Sequence, residues 1–384
     1  MLVIIPAAFI NSLGIGTTSL GILFVVKDLY GASPALVGAL GALWSLSYFV
    51  GCIVLRRYTR WLRPRTAMLI SYTGSFTVFA VFMVWPGLWQ AFVAYAIYGF
   101  LNAFFWPPVM GWVTKDLEGS ELSRASSYFS MSWSIGGIFS SYIAGVLSEI
   151  DKLLPLRFTI ALLCAGALFV LTTRYFIRDT TITVDSQAGT ATTPDRSTPL
   201  RYPAWLGAFL FYMLMGVVFN VFPVFARDIL VLKESRVGLL LMIRAITIAI
   251  GFFILGRTSF WQFKRGVLPA ISVVSAVLLV FIALQRSMAG LIAGFAILGF
   301  LQSLIYSNAL FYSTSGAPDR DKRVTIFEAL MTAGQVSGSV SGGIIYQKFS
   351  MPVVFFGMSL LFIIIAGIQL SMISARFRQS PRTV

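Results

Sequence analysis

The sequence predicts an all-α membrane protein of about twelve transmembrane helices, arranged as two pseudo-symmetric six-helix bundles. The first observation is composition: 58% of the residues are hydrophobic, only 11% are charged, and the mean hydropathy is +0.85. Soluble domains carry roughly 25% charged residues, so this composition excludes a soluble globular protein. The second is the presence of long apolar runs, and the third is an internal duplication. Each run should be helical, because lipid gives an open strand edge no hydrogen-bond partner.

The apolar runs form two sets of six, and each run has about the 20 residues that a helix needs to cross a bilayer. They cover 3–26, 34–55, 66–85, 88–113, 125–148, 157–177, 204–226, 236–256, 267–285, 288–314, 324–347 and 352–375. The segment 179–203 between the sets is rich in Thr, Ser, Pro and Asp, which is typical of a flexible linker. The predicted domains are therefore an N-terminal bundle, 1–178, a cytoplasmic linker, 179–203, and a C-terminal bundle, 204–384.

The duplication is visible at an offset of 200 residues. The basic hairpin after the second run recurs after the eighth, where Gly51, Leu55, Arg57, Trp61 and Arg65 return as Gly251, Leu255, Arg257, Trp261 and Arg265. The pair Lys27-Asp28 after the first run likewise returns as Arg227-Asp228 after the seventh. Because each half has an even number of spans, both copies should have the same orientation in the membrane.

The distribution of Lys and Arg sets the predicted orientation. Of the 29 basic residues, 20 lie in or beside the loops on the linker side and 8 on the opposite side. Cytoplasmic loops carry this excess, so we expect both termini and the linker in the cytoplasm. The net charge of +15 follows from these loops and gives no reason to expect a nucleic-acid partner.

The residue inventory excludes several chemistries. The chain has no histidine, and its two cysteines, Cys52 and Cys164, lie inside apolar runs without metal-ligand spacing. No phosphate-binding loop of the G-x-x-x-x-G-K-[ST] kind is present, so ATP is not expected to drive the protein directly. We expect no cofactor, no metal site and no catalytic residue, and a membrane enzyme is the weakest of the alternatives.

Two loop segments resemble those of the major facilitator superfamily. The stretch 30–38, YGASPALVG, resembles the family's loop into helix 2, and 51–65 resembles its signature between helices 2 and 3, although Leu55 replaces the usual acidic residue. The family's layout is two parallel repeats of six helices. The resemblance implies a secondary active transporter that works by alternating access on a small-molecule substrate, with or without a coupling ion. We expect a monomer in a bacterial or archaeal cytoplasmic membrane.

Arg244 is the only cation near the middle of an apolar run. A charge at the bilayer centre costs about 2.5–3.5 kcal/mol on insertion scales, so such residues usually face a cavity or a partner. The guanidinium presents a planar fork that suits carboxylate or phosphate. Arg244 is therefore a candidate substrate-binding residue, and the alternative is a structural bond to carbonyl or hydroxyl groups.

Uncharged polar residues form the rest of the predicted substrate site. In the family, helices 1, 4, 7 and 10 line the cavity, and packing is the alternative role for each residue. The candidates on these helices are Asn11, Asn102, Trp106, Asn220, Gln302 and Tyr306. Pro107 and Pro108 should also bend or unwind helix 4 beside Trp106, because they remove two backbone donors, and a mere kink is the alternative.

Gating candidates lie near the linker side. Glu328 is predicted to pair with Arg56 or Arg57 and to supply the latch that Leu55 cannot make, with proton binding as its alternative role. Asp116 ends the fourth span and should hold Arg57 or Arg124 in a structural pair.

The predicted function is secondary transport of a small organic anion, since Arg244 is an obligate cation. Efflux of hydrophobic or sugar-like neutral solutes is the alternative, because 15% of the residues are aromatic. A non-transporting receptor or scaffold on the same fold is a further alternative.

Overall fold

A computed structural model gives the fold and describes residues 2–59, 62–114, 119–176, 197–317 and 320–378. All regular structure in these ranges is α-helical. The helices are α1 Ile4–Asp28, α2 Pro34–Thr59, α3 Pro64–Val84, α4 Leu88–Asn102, α5 Trp106–Thr114, α6 Gly119–Ile150, α7 Leu154–Phe176, α8 Arg201–Asn220, α9 Phe222–Asp228, α10 Glu234–Arg257, α11 Val267–Leu284, α12 Met288–Thr314, α13 Arg320–Lys348 and α14 Met351–Arg378. The prediction of an all-helical chain is confirmed.

Ten stretches of helix in the described part of the chain are long and apolar enough to cross a membrane. They match ten of the twelve predicted spans, and two of them combine consecutive helices, α4 with α5 and α8 with α9. The remaining predicted spans, 125–148 and 324–347, lie in α6 and α13, which are helical but rich in serine and glycine. The protein is therefore an integral membrane protein.

The predicted break in the fourth span is confirmed. Helix α4 ends at Asn102 and α5 begins at Trp106. Between them the backbone N–H groups of Phe104 and Phe105 donate to carbonyls three residues back, each at 3.0 Å. This tighter turn separates the two helices just before Pro107 and Pro108, which have no N–H to donate.

One compact unit contains α1 to α7 together with the segment Pro223–Met242. Helix α1 packs between α6 and α7, and small residues bring the backbones close: a Cβ at Gly136 would lie 2.6 Å from the Phe9 carbonyl oxygen. Buried hydroxyls tie two helices to α1, since Thr18 donates to Thr159 on α7 at 3.0 Å and Tyr72 on α3 donates to the Ala7 carbonyl at 2.7 Å.

The other compact unit contains α8, the rest of α10, and α11 to α14. Its tightest crossing is between α8 and α13, where a Cβ at Gly334 would lie 2.3 Å from the Phe209 carbonyl oxygen and one at Gly338 would lie 1.7 Å from that of Met213. Glycines four residues apart share one helix face, which lets α13 approach α8 this closely.

The duplication is preserved at the level of backbone contacts. In the first unit a Cβ at Gly99 would lie 2.6 Å from the carbonyl oxygen of Trp44, and in the second a Cβ at Gly299 would lie 2.2 Å from that of Arg244. Gly99 and Gly299 are 200 positions apart, and so are Trp44 and Arg244. The two repeats therefore use the same helix crossing, with a tryptophan in one copy where the other has an arginine.

The loop after the first helix of each repeat shows the same correspondence. Gly31 has φ +62° and its counterpart Val231 has φ +52°. The residue that follows donates its N–H back to the helix in both copies, Ala32 to Val26 at 3.0 Å and Leu232 to Ala226 at 2.9 Å. Only glycine adopts this left-handed conformation without strain, so Val231 is strained.

Replacing Val231 by glycine is expected to stabilise the protein. The left-handed conformation costs an L-residue roughly 1–2 kcal/mol, and part of that gain is offset by the greater freedom of glycine in the unfolded chain. Val231 is 81% exposed, so little packing is lost. We expect a rise of about 1 kcal/mol in the free energy of unfolding, measured by thermal unfolding of the purified protein. Val277→Gly, at an exposed position inside α11, is the control and should lower stability. A lower melting temperature for Val231→Gly would contradict the assignment of strain.

Candidate functional site

Arg244 lies near the middle of α10 and is 5% exposed. Its Nη1 donates to the Gln302 Oε1 on α12 and lies 3.5 Å from the Met215 Sδ on α8. The guanidinium carbon lies 4.2 Å from the centre of the Phe219 ring, within the range of a cation–π contact. Two helices of the second unit, α8 and α12, therefore fix the position of this side chain.

The charge of Arg244 has no anionic partner among the described residues. No carboxylate in the described part of the chain forms an ion pair with it, and its Nε is buried without a hydrogen-bond partner. An amide oxygen, a thioether and an aromatic face compensate a buried guanidinium only in part. A negatively charged ligand would therefore gain more binding free energy here than at an arginine exposed to water.

Tyr212 connects this position with a second tyrosine and a carboxylate of the second unit. Tyr212 lies within electrostatic range of Arg244, Tyr306 and Glu328, and Gln302 lies beside its hydroxyl. The Tyr306 ring packs edge-on against Phe327 at 5.5 Å, and Glu328 is exposed on α13. The structure thus brings two of the predicted substrate-site residues, Arg244 and Gln302, into contact, and Tyr306 and Glu328 lie within electrostatic range of the neighbouring Tyr212.

The predicted asparagines have other partners. Asn11 and Asn102 are 1% and 0% exposed, and Asn11 donates to the Asn102 side-chain oxygen at 3.2 Å. Asn102 in turn donates to the Tyr98 carbonyl at 2.9 Å. Asn220 is 6% exposed and donates to the Ser339 hydroxyl at 2.7 Å. These amides hold helices together within their own units.

Trp106 is half-buried at the start of α5. Its ring packs edge-on against the rings of Phe129 at 6.1 Å and Trp133 at 6.5 Å, both on α6. This places Trp106 in an aromatic cluster of the first unit.

The predicted latch on the linker side cannot be traced in the structure. The side chains of Arg56 and Arg57 and the whole of Asp116 lie outside the described residues. Pairing of Glu328 with Arg56 or Arg57, and of Asp116 with Arg57 or Arg124, stays a prediction.

An ion-pair cluster that the sequence analysis did not assign lies in the first unit. We call it the reciprocal cluster, because each basic residue of the repeated Lys/Arg-Asp pair contacts the acid of the other copy. Lys27 pairs with Asp228 at 2.8 Å, and Arg227 pairs with Asp28. The other pairs in the cluster are Lys152–Asp28 at 3.3 Å, Arg227–Glu234 at 3.3 Å and Lys152–Glu234. Three cations thus balance three carboxylates.

The start of α10 is fixed beside this cluster. The Ser235 N–H donates to the Glu149 carboxylate at 2.9 Å, and the hydrogen bonds from Ser235 hold the pKa of Glu149 below its usual range. A carboxylate with a lowered pKa stabilises this junction at neutral pH, and the contribution is lost as the pH falls through that lowered pKa. A Cβ at Gly238 would lie 2.3 Å from the Ser141 carbonyl oxygen, so α10 also packs closely on α6.

The sequence did contain a signal for the reciprocal cluster. Lys27-Asp28 and Arg227-Asp228 recur at the offset of the duplication. Two copies of a cation–anion pair related by approximate twofold symmetry can satisfy each other crosswise, as an isologous contact does. Sequence alone does not show that the two copies meet.

Comparison with known proteins agrees with this architecture. The sequence model described as Major Facilitator Superfamily matches residues 4–319 and 204–383. No curated protein sequence matches the chain.

Solved structures similar to the chain include a bacterial homologue of the human lysosomal transporter Spinster, with 13% identity, TM-score 0.72 and 98% of each chain covered. The nucleoside transporter NupG has 16% identity and TM-score 0.72, with 97% of this chain and 98% of that chain covered. A POT family transporter in complex with 5-aminolevulinic acid has 13% identity and TM-score 0.75, with 97% and 96% covered.

Proposed function

The chain belongs to the major facilitator superfamily and is a membrane transporter, and we propose that it is a secondary active transporter of a small organic anion. It works by alternating access, in which one six-helix half rocks against the other around a substrate site near the middle of the membrane. The bundles are 1–178 and 204–384, joined by the linker 179–203 in the cytoplasm, where both termini also lie. The protein acts as a monomer, and its substrate moves with or without a coupling ion.

One observation is the main support for an anionic substrate. Arg244 is almost fully buried, is held by Gln302, Met215 and Phe219, and pairs with no described carboxylate. Arginine stays ionised in proteins, so neutralisation by deprotonation is not open to it. An anionic ligand supplies the missing charge and the missing hydrogen-bond acceptors together.

A neutral ring-shaped solute is the second candidate, and the first unit favours it. Trp44, the repeat counterpart of Arg244, is half-buried and stacks on Tyr48 with ring centres 5.7 Å apart and planes 8° apart. Its Nε1 is buried, and no described residue forms a hydrogen bond with it. An aromatic face with a free donor suits the flat face of a sugar or an aromatic solute.

A ligand screen followed by a flux measurement tests the proposal. Purified protein is heated with panels of organic carboxylates, phosphate esters, neutral sugars and neutral aromatic compounds, because a ligand bound only by the native state raises the melting temperature. Compounds that raise it are then radiolabelled and offered to proteoliposomes, with protein-free liposomes as the control. We expect the stabilising and transported compounds to be anions. Stabilisation and transport confined to neutral compounds would place the second candidate first, and binding without flux would indicate a non-transporting receptor.

A further inference from the structure

The guanidinium of Arg244 is engaged on one side only. Both of its hydrogen bonds, to Gln302 and to Met215, use Nη1. Nε is buried without a partner, and no described residue bonds to Nη2. The donors that remain therefore lie along the edge from Nε to Nη2, and Phe219 covers one face of the group.

We propose that this edge of the Arg244 guanidinium makes the site specific for a carboxylate. Gln302 is the positioning residue, because it holds the guanidinium so that the edge faces the ligand. The inference rests on the proposed function. The N–H groups of Nε and Nη2 are parallel, and their spacing matches the two oxygens of one carboxylate. A lysine cannot reproduce this geometry, because its ammonium is a point charge.

Charge favours a carboxylate over a phosphate ester as well. A phosphate ester carries close to two negative charges at neutral pH, and Arg244 supplies only one positive charge. The second charge of a phosphate would thus remain uncompensated in a buried site, which is unfavourable.

The first unit supports a positioning role for Gln302. Its repeat counterpart, Asn102, is fully buried and accepts a hydrogen bond from Asn11 at 3.2 Å. The side-chain oxygen at this position thus accepts from a neighbouring helix in both copies, from Asn11 in one and from Arg244 in the other. In the second copy the group it holds is the cation that binds the ligand.

Gln302→Glu tests the proposal, because it places a carboxylate beside Nη1. An internal ion pair should form, so the melting temperature should be kept or raised, while affinity for an external carboxylate falls by about tenfold or more through competition for the same charge. The probes are acetate and benzoate, paired with methyl phosphate and phenyl phosphate, titrated calorimetrically into purified full-length protein. Gln285→Glu adds the same charge at the end of α11 and should leave the affinities unchanged.

A second variant separates positioning from simple stability. Gln302→Met keeps a side chain of similar length but releases Nη1, so the preference for carboxylate over phosphate should shrink even after normalisation to the folded fraction. In wild type we expect this preference to exceed about tenfold, because the second charge of a phosphate has no partner in the site. Equal wild-type affinity for the two classes, or an unchanged preference in both Gln302 variants, would overturn the inference and leave anion transport standing. Wild-type protein that binds neither class while binding neutral solutes would overturn both.

Discussion

Arg244→Lys is expected to lower the affinity for a transported organic anion by about 10- to 100-fold while the protein still folds. The substitution keeps the charge but loses the planar fork, and a hydrogen bond to a charged group contributes about 1.5–3 kcal/mol. Transport in proteoliposomes should fall in parallel. Affinity is measured on monodisperse purified protein and normalised to the folded fraction, because the lysine also loses the contact with Phe219.

Arg244→Gln should go further and abolish anion binding, because the charge itself is removed. Arg257→Lys is the matched control: it lies on the same helix, its guanidinium carbon is 3.6 Å from the centre of the Phe253 ring, and it is exposed. Affinity and transport should be unchanged in that variant. Wild-type affinity for an anion in Arg244→Gln would end the anion hypothesis, and a neutral solute stacked on Trp44 would then be the better proposal.

The fold could be predicted from sequence because membrane burial constrains it strongly. Lipid requires helices of one approximate length, and the 200-residue offset reveals the repeat without any alignment. The break before Trp106 was predictable for a similar reason, since adjacent prolines remove backbone donors wherever they occur. Arg244 stood out because a cation inside an apolar run has few explanations.

The roles of the polar residues could not be predicted in the same way. Asn102 and Gln302 are repeat counterparts with similar chemistry, yet one joins Asn11 in a buried pair and the other holds Arg244. What differs is the residue on the neighbouring helix, and that depends on helix rotation and crossing. The reciprocal cluster was missed because its pairs join segments about 200 residues apart, which no local pattern specifies.

Breaking the reciprocal cluster is expected to have the second large effect. Arg227 contacts both Asp28 and Glu234, so Arg227→Asp replaces two attractions with repulsion among three carboxylates. These side chains are 10–22% exposed, so solvent partly screens the pairs. We therefore expect the loss to cost about 1–2 kcal/mol, which is less than the cost of breaking a fully buried pair. The proposed alternating access opens these contacts in part of the transport cycle, so the conformation with the cluster closed should lose about tenfold in population relative to the one with it open.

Labelling of an introduced cysteine measures the change. In a background without Cys52 and Cys164, Ser141→Cys reports on the crossing of α6 with α10, since the Ser141 carbonyl lies against Gly238. Its reaction with a polar maleimide in nanodiscs should be about tenfold faster with Arg227→Asp. Asp151→Lys is the control, because the Arg157–Asp151 pair spans 3.7 Å and its side chains are 55% and 45% exposed. It should leave the rate unchanged.

A charge swap decides whether pairing, and not charge alone, closes this contact. Asp228→Lys sets two cations together at the Lys27–Asp228 pair and should speed labelling of Ser141→Cys. Adding Lys27→Asp restores an opposite pair with reversed polarity, so the rate should return toward that of the parent. The net charge of the double variant equals that of the parent, which removes the general electrostatic effect from the comparison. Fast labelling that persists in the double variant, or a parent rate in Asp228→Lys alone, would show that the reciprocal cluster does not hold α10 against α6.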